Sequence, residues 1–421
     1  MRRATRAWRG VAGRPSAVPR RRAGAAGAGG TSEPPWRRRY LSGRGGRAQG
    51  RGRRGWKAAA VSSRRRRPRS HPTEPALKIL VLLIDKPGHR HQAEGVALSI
   101  ARLAPVERLA VEVRPRWFAF PALRRAALSL ARAASPAAML RLVYGIDPSA
   151  LARPDAIVGS GRPAVAPGIL LARHFGVPYV FAGLADGMAE AVEIDLMLVS
   201  VKRFESATNA IFTPVPSLVA PDRLPAPRDP SDPRGLAGAS IGLLLGGDAH
   251  SHRFDEADWR DLARLVRDTR ERAGVRWWVT NSRRTGDVGG RIFAALAEEG
   301  VVERFVDWRD PGSGTVADIF AADLLMVTED SVSMMSEAVA AQRRVVALRP
   351  RRFEATLVDD IVATLVDGGA MAVLPIAGSG AEDLLGAFGR LEPVTTDHRD
   401  TIAAAVRARL PALFASAEVR R

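Results

Sequence analysis

The chain has 421 residues, enough for about two or three domains, and its 64 Lys and Arg against 44 Asp and Glu give a net charge of +20. Residues 1–74 hold 22 of those basic residues and 2 of the acids, so the remainder carries 42 of each sign, and no nucleic-acid partner is expected for the folded part. Cysteine is absent, which excludes disulfides, thiolate nucleophiles and cysteine-held metals, and no apolar run approaches the ~20 residues of a membrane-spanning helix.

Residues 1–74, with "RPSAVPRRRAGAAGAGG" and "SRRRRPRS", are rich in Arg, Gly, Ala and Pro and almost free of branched aliphatics. Such a segment buries too little apolar surface to offset its ordering entropy, so it is expected to be disordered. Three readings stand open. It is an upstream stretch translated from a misplaced start, which its patternless composition favours; or a tail for anionic RNA or lipid headgroups; or an Arg-rich, acid-poor organelle transit sequence. An apolar core of signal-peptide length is missing from it.

The ordered part is expected to begin near Pro75. "LKILVLLID" (77–85) is a continuous apolar run that predicts a buried parallel strand, and a helix is predicted from about His91 to Leu103. "LAVEVR" (109–114), "AIVGSG" (156–161), "VPYVFAG" (177–183) and "IDLMLVS" (194–200) predict further strands, with 164–176 as a connecting helix. Residues 114–142 read as helical, with Leu123, Ala127, Leu130 and Ala134 on one face and Arg124, Arg125 and Arg132 on others. Packing on its own sheet is favoured there over contact with an anionic membrane surface or a lipid-linked acceptor.

Residues 221–235 contain five prolines and read as a linker. Beyond them the pattern restarts. Strands are predicted at 240–248, 275–282, 301–308, 323–330 and 343–348, alternating with helices at 256–274, 289–300, 315–322 and 331–341, and a helical tail closes the chain around 399–417. Such alternation predicts βαβ units and parallel sheets. The expected fold class is α/β: two Rossmann-like domains at 75–220 and 237–397, a Pro-rich linker at 221–236 and a C-terminal helix at 398–421.

In open parallel sheets ligands sit at the carboxyl ends of strands, so the residues after each strand carry the information. "TEDSVSMMSE" (328–337) offers Asp330, Ser331, Ser333, Ser336 and Glu337 at the start of a helix. One reading is an N-cap with Met334 and Met335 as core filling. The favoured one is an anion or nucleotide site, because a helix N-terminus presents free N–H groups and a positive dipole end. In "TNSRRTG" (280–286), Ser282, Arg283, Arg284 and Thr285 form a post-strand loop whose guanidinium forks suit phosphate; two solvated arginines is the competing reading. Gly246 and Gly247, followed by Asp248, allow close backbone approach to a ligand.

The pairs His89/His91 and His250/His252, following Asp85 and Asp248, raise a metal site, but they lie in different domains and no further ligands stand out. No metal is expected; His89, with Asp85 nearby, is preferred as a cleft-facing general base. The chain has no G-x-x-x-x-G-K-[ST] loop, no G-x-G-x-x-G after its first strand, no Asp-x-Asp, and no Lys four residues after any Tyr. An NAD-dependent epimerase or dehydrogenase is therefore poorly supported.

Together, "LLIDKPGHRHQAEGVALSIA", "IGLLLGGD", "WWVTNSRRTG" and "TEDSVSMMSEAVAAQRRVVAL" resemble the mitochondrial-fission (elongated mitochondria) family and its bacterial relatives, often labelled nucleoside-diphosphate-sugar epimerases. The likeness spans about 77–350; "FAGLADGMAEAVEIDLMLVSVKRFES" departs from the family pattern. That family looks related to B-fold glycosyltransferases, such as the lipid-linked GlcNAc transferase of peptidoglycan synthesis. The resemblance implies a B-fold-like arrangement, a nucleotide-binding second domain, and metal-independent use of a UDP- or GDP-linked sugar in the interdomain cleft. It further implies that Glu337 binds ribose, that Ser331, Ser333 and the helix N-terminus bind diphosphate with Arg283, that Gly247 admits close approach, and that His89 is a base or acceptor-binding residue. No other cofactor is expected. The acceptor would be lipid-linked or at a membrane surface, and the location cytoplasmic or peripheral to the inner membrane. The alternative is a non-catalytic recruiting or membrane-division protein that keeps the fold. The oligomeric state is left open.

Overall fold

The computed structural model describes residues 76–117, 126–131, 135–185, 192–205, 208–228 and 236–419, and the readings of residues 1–74 lie outside these. The first half is a six-stranded sheet built from β1 (Leu77–Leu83), β2 (Val106–Glu112), β3 (Ala156–Ser160), β4 (Tyr179–Ala182), β5 (Leu196–Val199) and β6 (Ala210–Phe212), in the order β2-β1-β3-β4-β5-β6 with every pairing parallel. Helices α1 (Pro87–Ile100) and α2 (Arg162–Phe175) cover it. The continuous apolar run of β1 is explained by burial on both faces: Leu80 and Leu82 pack with Ile169 of α2, while Leu77, Ile79 and Val81 pack with Val96 and Ile100 of α1.

The second half repeats the plan with β7 (Ser240–Leu244), β8 (Arg276–Thr280), β9 (Val302–Val306), β10 (Leu324–Thr328), β11 (Arg344–Arg349) and β12 (Ala372–Pro375), ordered β9-β8-β7-β10-β11-β12, again all parallel. This is the doubly wound Rossmann order. Its helices are α3 (Glu256–Ala273), α4 (Gly286–Glu298), α5 (Val316–Phe320), α6 (Val332–Ala340), α7 (Leu357–Asp367) and α8 (Ala381–Gly389). Strand β10 divides its side chains as β1 does: Leu324 and Met326 face one core, Leu325 and Val327 the other. Among the described residues no helix is long and apolar enough to cross a membrane.

Beyond α8 the chain crosses back. Helices α9 (His398–Arg409) and α10 (Pro411–Val419) lay Ile402, Val406, Leu413 and Phe414 against Leu77, Ile79 and Val96 of the first half. The tail predicted as one helix is two, because Pro411 cannot donate the backbone bond that would continue the first. The proline-rich stretch is tied down as far as Arg228: Asp222 pairs with Arg399 at 2.7 Å, Arg343 donates to the Pro225 carbonyl at 2.6 Å, and Arg228 N–H donates to Asp323 at 2.8 Å.

Other differences have local causes. Helix α1 begins at Pro87 rather than near His91, since proline suits the first helical position, and so both histidines become helical. Strand β2 starts at Val106, three residues earlier than expected; it is an edge strand, where the exposed Glu107 and Arg108 are tolerated. In the 114–142 stretch, Leu123, Arg124, Arg125, Arg132 and Ala134 lie outside the described residues. Ala127, Leu128 and Ala131 are the core-facing set, and Leu130 is exposed.

Candidate functional site

In each sheet the strand order reverses beside the first strand, between β1 and β3 and between β7 and β10. Loops diverge at such a point and leave a crevice. The two crevices open on one cavity of about 1350 Å³, walled by Lys86, Gly88, His89, Arg283, Ser333 and Glu337 among others. The N-termini of α1 and α6 meet across it so closely that a Cβ on Gly88 would stand 2.9 Å from Ser333 Oγ.

Ser331 sits at the N-cap of α6 with extended backbone, yet its side chain accepts no capping hydrogen bond; its Oγ lies 3.4 Å from that of Ser333. The first-turn N–H groups therefore keep their capacity for an outside acceptor, with the positive dipole end behind them. Asp330, one residue earlier, is fully buried and faces Arg284 Nη2 at 2.8 Å. Burial raises its pKa above the ordinary carboxyl value, and Arg284 opposes that shift. Arg283, by contrast, is exposed on the cleft wall and has no carboxylate partner among the described residues.

The loop carrying both arginines is bolted to the neighbouring strand. Thr285 Oγ1 donates to the Gly246 carbonyl at 2.6 Å and accepts from Ser282 N–H at 2.9 Å, and Gly246 N–H donates to Thr328 Oγ1 at 2.7 Å. Trp278, Trp308, Phe320 and Leu224 also line the cavity, with the Arg304 guanidinium 4.7 Å from the Trp278 ring centre.

On the first-half wall, His89 Nδ1 lies 3.2 Å from Gln92 Oε1 and 3.2 Å from Ser160 Oγ, while Ser160 donates to the same Gln92 oxygen at 2.6 Å. With Gln92 as the shared acceptor, Nδ1 carries the proton and Nε2 is left to accept one. Burial pushes the His89 pKa down, so the ring is neutral at pH 7, with the Gln92 hydrogen bond acting the other way. Gly161, at φ +80, is needed here because a Cβ would come within 2.9 Å of the His89 ring. Two residues on, His91 Nδ1 reaches across to Glu337 Oε1 at 2.9 Å, and that hydrogen bond raises the His91 pKa.

A family model described as Mitochondrial fission ELM1 matches residues 87–410. The chain belongs to this family. No match appears among curated proteins. Among solved structures, the chain is similar to UDP-GlcNAc 2-epimerase from Methanocaldococcus jannaschii at 12% identity, over 79% of this chain and 99% of that one, with TM-score 0.48. It is similar also to Acinetobacter baumannii MurG (14% identity, 82% and 99% covered, TM-score 0.40) and to Escherichia coli ADP-heptose LPS heptosyltransferase II (14%, 74% and 97%, 0.42).

In this ELM1-family chain the cleft wall gathers His89, Ser282, Arg283, Arg284, Asp330, Ser331, Ser333 and Glu337 from the sequence-derived candidates. Six others stand elsewhere. Asp85 is exposed and paired with Arg114 at 3.1 Å, away from the wall. Gly246 and Gly247 lie beneath the loop, packed against Asp330 and the Arg284 backbone rather than facing a ligand. Asp248 accepts from Phe254 N–H at 2.9 Å and is half-exposed, Thr285 is buried in the bolt just described, and Ser336 is buried on α6. Met335 is core, but Met334 is half-buried and reaches the cleft.

Of the His-x-His pairs, His252 is fully buried and His250 lies outside the cleft, and no cluster of three metal-ligating side chains occurs among the described residues. Sequence reasoning gave no role of their own to Lys86, Gln92, Ser160, Trp278 and Trp308. Trp308 was read as the last residue of the strand predicted at 301–308, whereas β9 ends at Val306 and leaves it on the following loop; His91 was read only as half of a metal pair.

Proposed function

We propose that the cleft binds a nucleoside diphosphate and a sugar carried on it, and that the protein is a metal-independent glycosyltransferase-like enzyme. The observation that carries this reading is the uncapped N-terminus of α6, with Ser331, Ser333 and the unpaired Arg283 turned to one cavity. Diphosphate is the ligand such a cluster suits: backbone N–H groups, a dipole end and a guanidinium fork all favour multiple anionic oxygens. Trp278 and Trp308 in the lining offer the base a stacking surface, and Glu337 offers a carboxylate to the ribose hydroxyls. At about 1350 Å³ the cavity exceeds the ~300–1,000 Å³ of an ordinary ligand pocket, so a donor and part of an acceptor fit together.

In the transfer, the acceptor hydroxyl oxygen bonds to the anomeric carbon while the bond from that carbon to the diphosphate breaks. The diphosphate leaves with the electron pair, its charge met by α6 and Arg283. The hydroxyl proton passes to His89 Nε2, left free by the bond of Nδ1 to Gln92. UDP, GDP and their sugars should stabilise the protein to heat, and Arg283→Ala and Glu337→Ala should weaken that binding about 10- to 100-fold. No shift with any of them, or equal shifts in both variants, would overturn the reading.

The His91–Glu337 contact makes binding pH-dependent. Because the folded pKa of His91 lies above its ordinary 6.5, the pair is complete below pH 6.5 and is lost as pH rises through the higher folded value. Arg90 disfavours the imidazolium and Glu94 favours it, both less than Glu337 does. Protonated His91 competes with ribose for Glu337, so nucleotide affinity is expected to rise several-fold from pH 6 to pH 8, and His91→Ala to flatten the profile. Isothermal titration at the two pH values checks this.

The same contact favours a second reading, a recruiting protein in which His91 and Glu337 lock the halves together and no turnover occurs. Release of sugar or diphosphate from a nucleotide sugar would exclude it.

A further inference from the structure

On the cleft wall of the second sheet, Trp278 of β8 and Arg304 of β9 stand opposite each other in register. The Arg304 guanidinium lies over the Trp278 ring, a stacking contact that sets its plane. Asp318 of α5 lines the same wall, its Oδ1 3.9 Å from Arg304 Nη1, which is too long for a hydrogen bond. The other oxygen is committed: Oδ2 accepts from Thr315 N–H at 2.8 Å and from Thr315 Oγ1 at 3.0 Å. The Thr315 N–H bond, against the effect of burial, holds the Asp318 pKa below the ordinary carboxyl value, so the group is ionised at pH 7. Arg304 has no other carboxylate partner among the described residues. A fixed carboxylate with Oδ1 open and a fixed guanidinium with its donors open thus stand side by side.

We propose that Arg304 and Asp318 read the nucleobase, and that the base is guanine. The inference rests on the nucleoside-diphosphate reading of the cleft and names the base of that ligand. Guanine presents two acceptors, O6 and N7, and beside them two donors, N1–H and the N2 amine. Arg304 suits the acceptors, and Asp318 Oδ1, with both lone pairs open, suits the donors. Uracil offers that oxygen one donor only. Adenine reverses the pattern, bringing its N6 amine toward the guanidinium and its N1 lone pair toward the carboxylate. The position fits as well. Asp318 stands at the carboxyl end of β9, where a Cβ on Gly314 would come 3.2 Å from both its Oδ2 and Val306. Helix α6 starts beyond the end of β10, three strands away in the order β9-β8-β7-β10. Three strand spacings are about 14 Å, the reach of an extended nucleoside diphosphate, so a base at Asp318 and a diphosphate at Ser331 and Arg283 are compatible. An ion pair kept for stability is the competing account, but a 3.9 Å pair between half-exposed groups contributes little.

The test is isothermal titration of the full chain with GDP, inosine diphosphate, xanthosine diphosphate, UDP and ADP. GDP should bind about 10-fold or more tightly than UDP, ADP or inosine diphosphate, the last of which lacks the N2 amine. Asp318→Asn keeps a carbonyl for Thr315 N–H and turns its amide NH2 toward the base. It should therefore lose the preference for GDP and bind xanthosine diphosphate, whose C2 carbonyl replaces the amine, about 10-fold more tightly than the parent chain does. A purely structural role for Asp318 would not produce that exchange of bases. If the variant fails to fold, the comparison of GDP with inosine diphosphate on the parent chain still decides. Equal affinity for those two, tighter binding of UDP or ADP, or an Asp318→Asn chain that folds without gaining xanthosine diphosphate overturns this inference and leaves the diphosphate reading standing. Binding of none of the five would overturn both together.

Discussion

Gly247→Ala is expected to lower stability by about 3 kcal/mol or more, the largest effect of any single methyl group added to the site. Gly247 holds φ +145, a conformation that residues with a side chain rarely adopt, and its Cβ would overlap the Arg284 carbonyl oxygen. That carbonyl cannot easily yield, since the loop is fastened through Thr285 and Ser282 to Gly246. Urea unfolding gives the measurement. A variant that folds with normal stability and loses only nucleotide binding would return Gly247 to the role of a ligand-facing residue.

Arg284→Ala should be the second large loss, about 2 kcal/mol at pH 7. Removing one partner of a buried ion pair costs ~3–5 kcal/mol, and the exposure of Arg284 on its outer side reduces that figure. The pH sign is unusual for a carboxyl group. Asp330 has a raised folded pKa, so the folded state holds its proton more tightly than the unfolded state and stability falls as pH rises through that value. Without Arg284 the shift grows, and the deficit should shrink on acidification from pH 7 to pH 5. Asp330→Asn in the Arg284→Ala background should recover most of the loss, because the stranded charge is gone; a deficit unchanged by pH and by the second substitution would assign it to lost packing instead.

Both halves of the fold were legible because their central strands are buried on two faces and so read as unbroken apolar runs, as at Leu77–Leu83 and Leu324–Thr328. Edge strands were legible unevenly: β9 was found, β2 was placed three residues late, and β6 and β12 were missed. Strand β2 mixes charge into its exposed side, and β6 and β12 are three and four residues long, too short for any period to show. At the site, post-strand position picked out Arg283, Ser331, Ser333 and Glu337, which the cleft does assemble. It could not separate them from Gly246, Gly247, Thr285 and Ser336, because a residue that supports a loop and a residue that faces a ligand occupy the same places in the sequence. The partner of Glu337 lies 246 positions away, and no local pattern reveals such a meeting.

Helices α9 and α10 come from the far side of the second sheet in sequence, yet Ile402, Val406, Leu413 and Phe414 finish the apolar face that Leu77 and Ile79 begin. During synthesis the first sheet therefore emerges with that flank covered by α1 alone, and it stays so until about 190 further residues, from Phe212 to Ile402, have been made and the second half has folded between. Premature termination anywhere in the second half would leave that flank open to chaperones or to aggregation, even with every strand of the first sheet present.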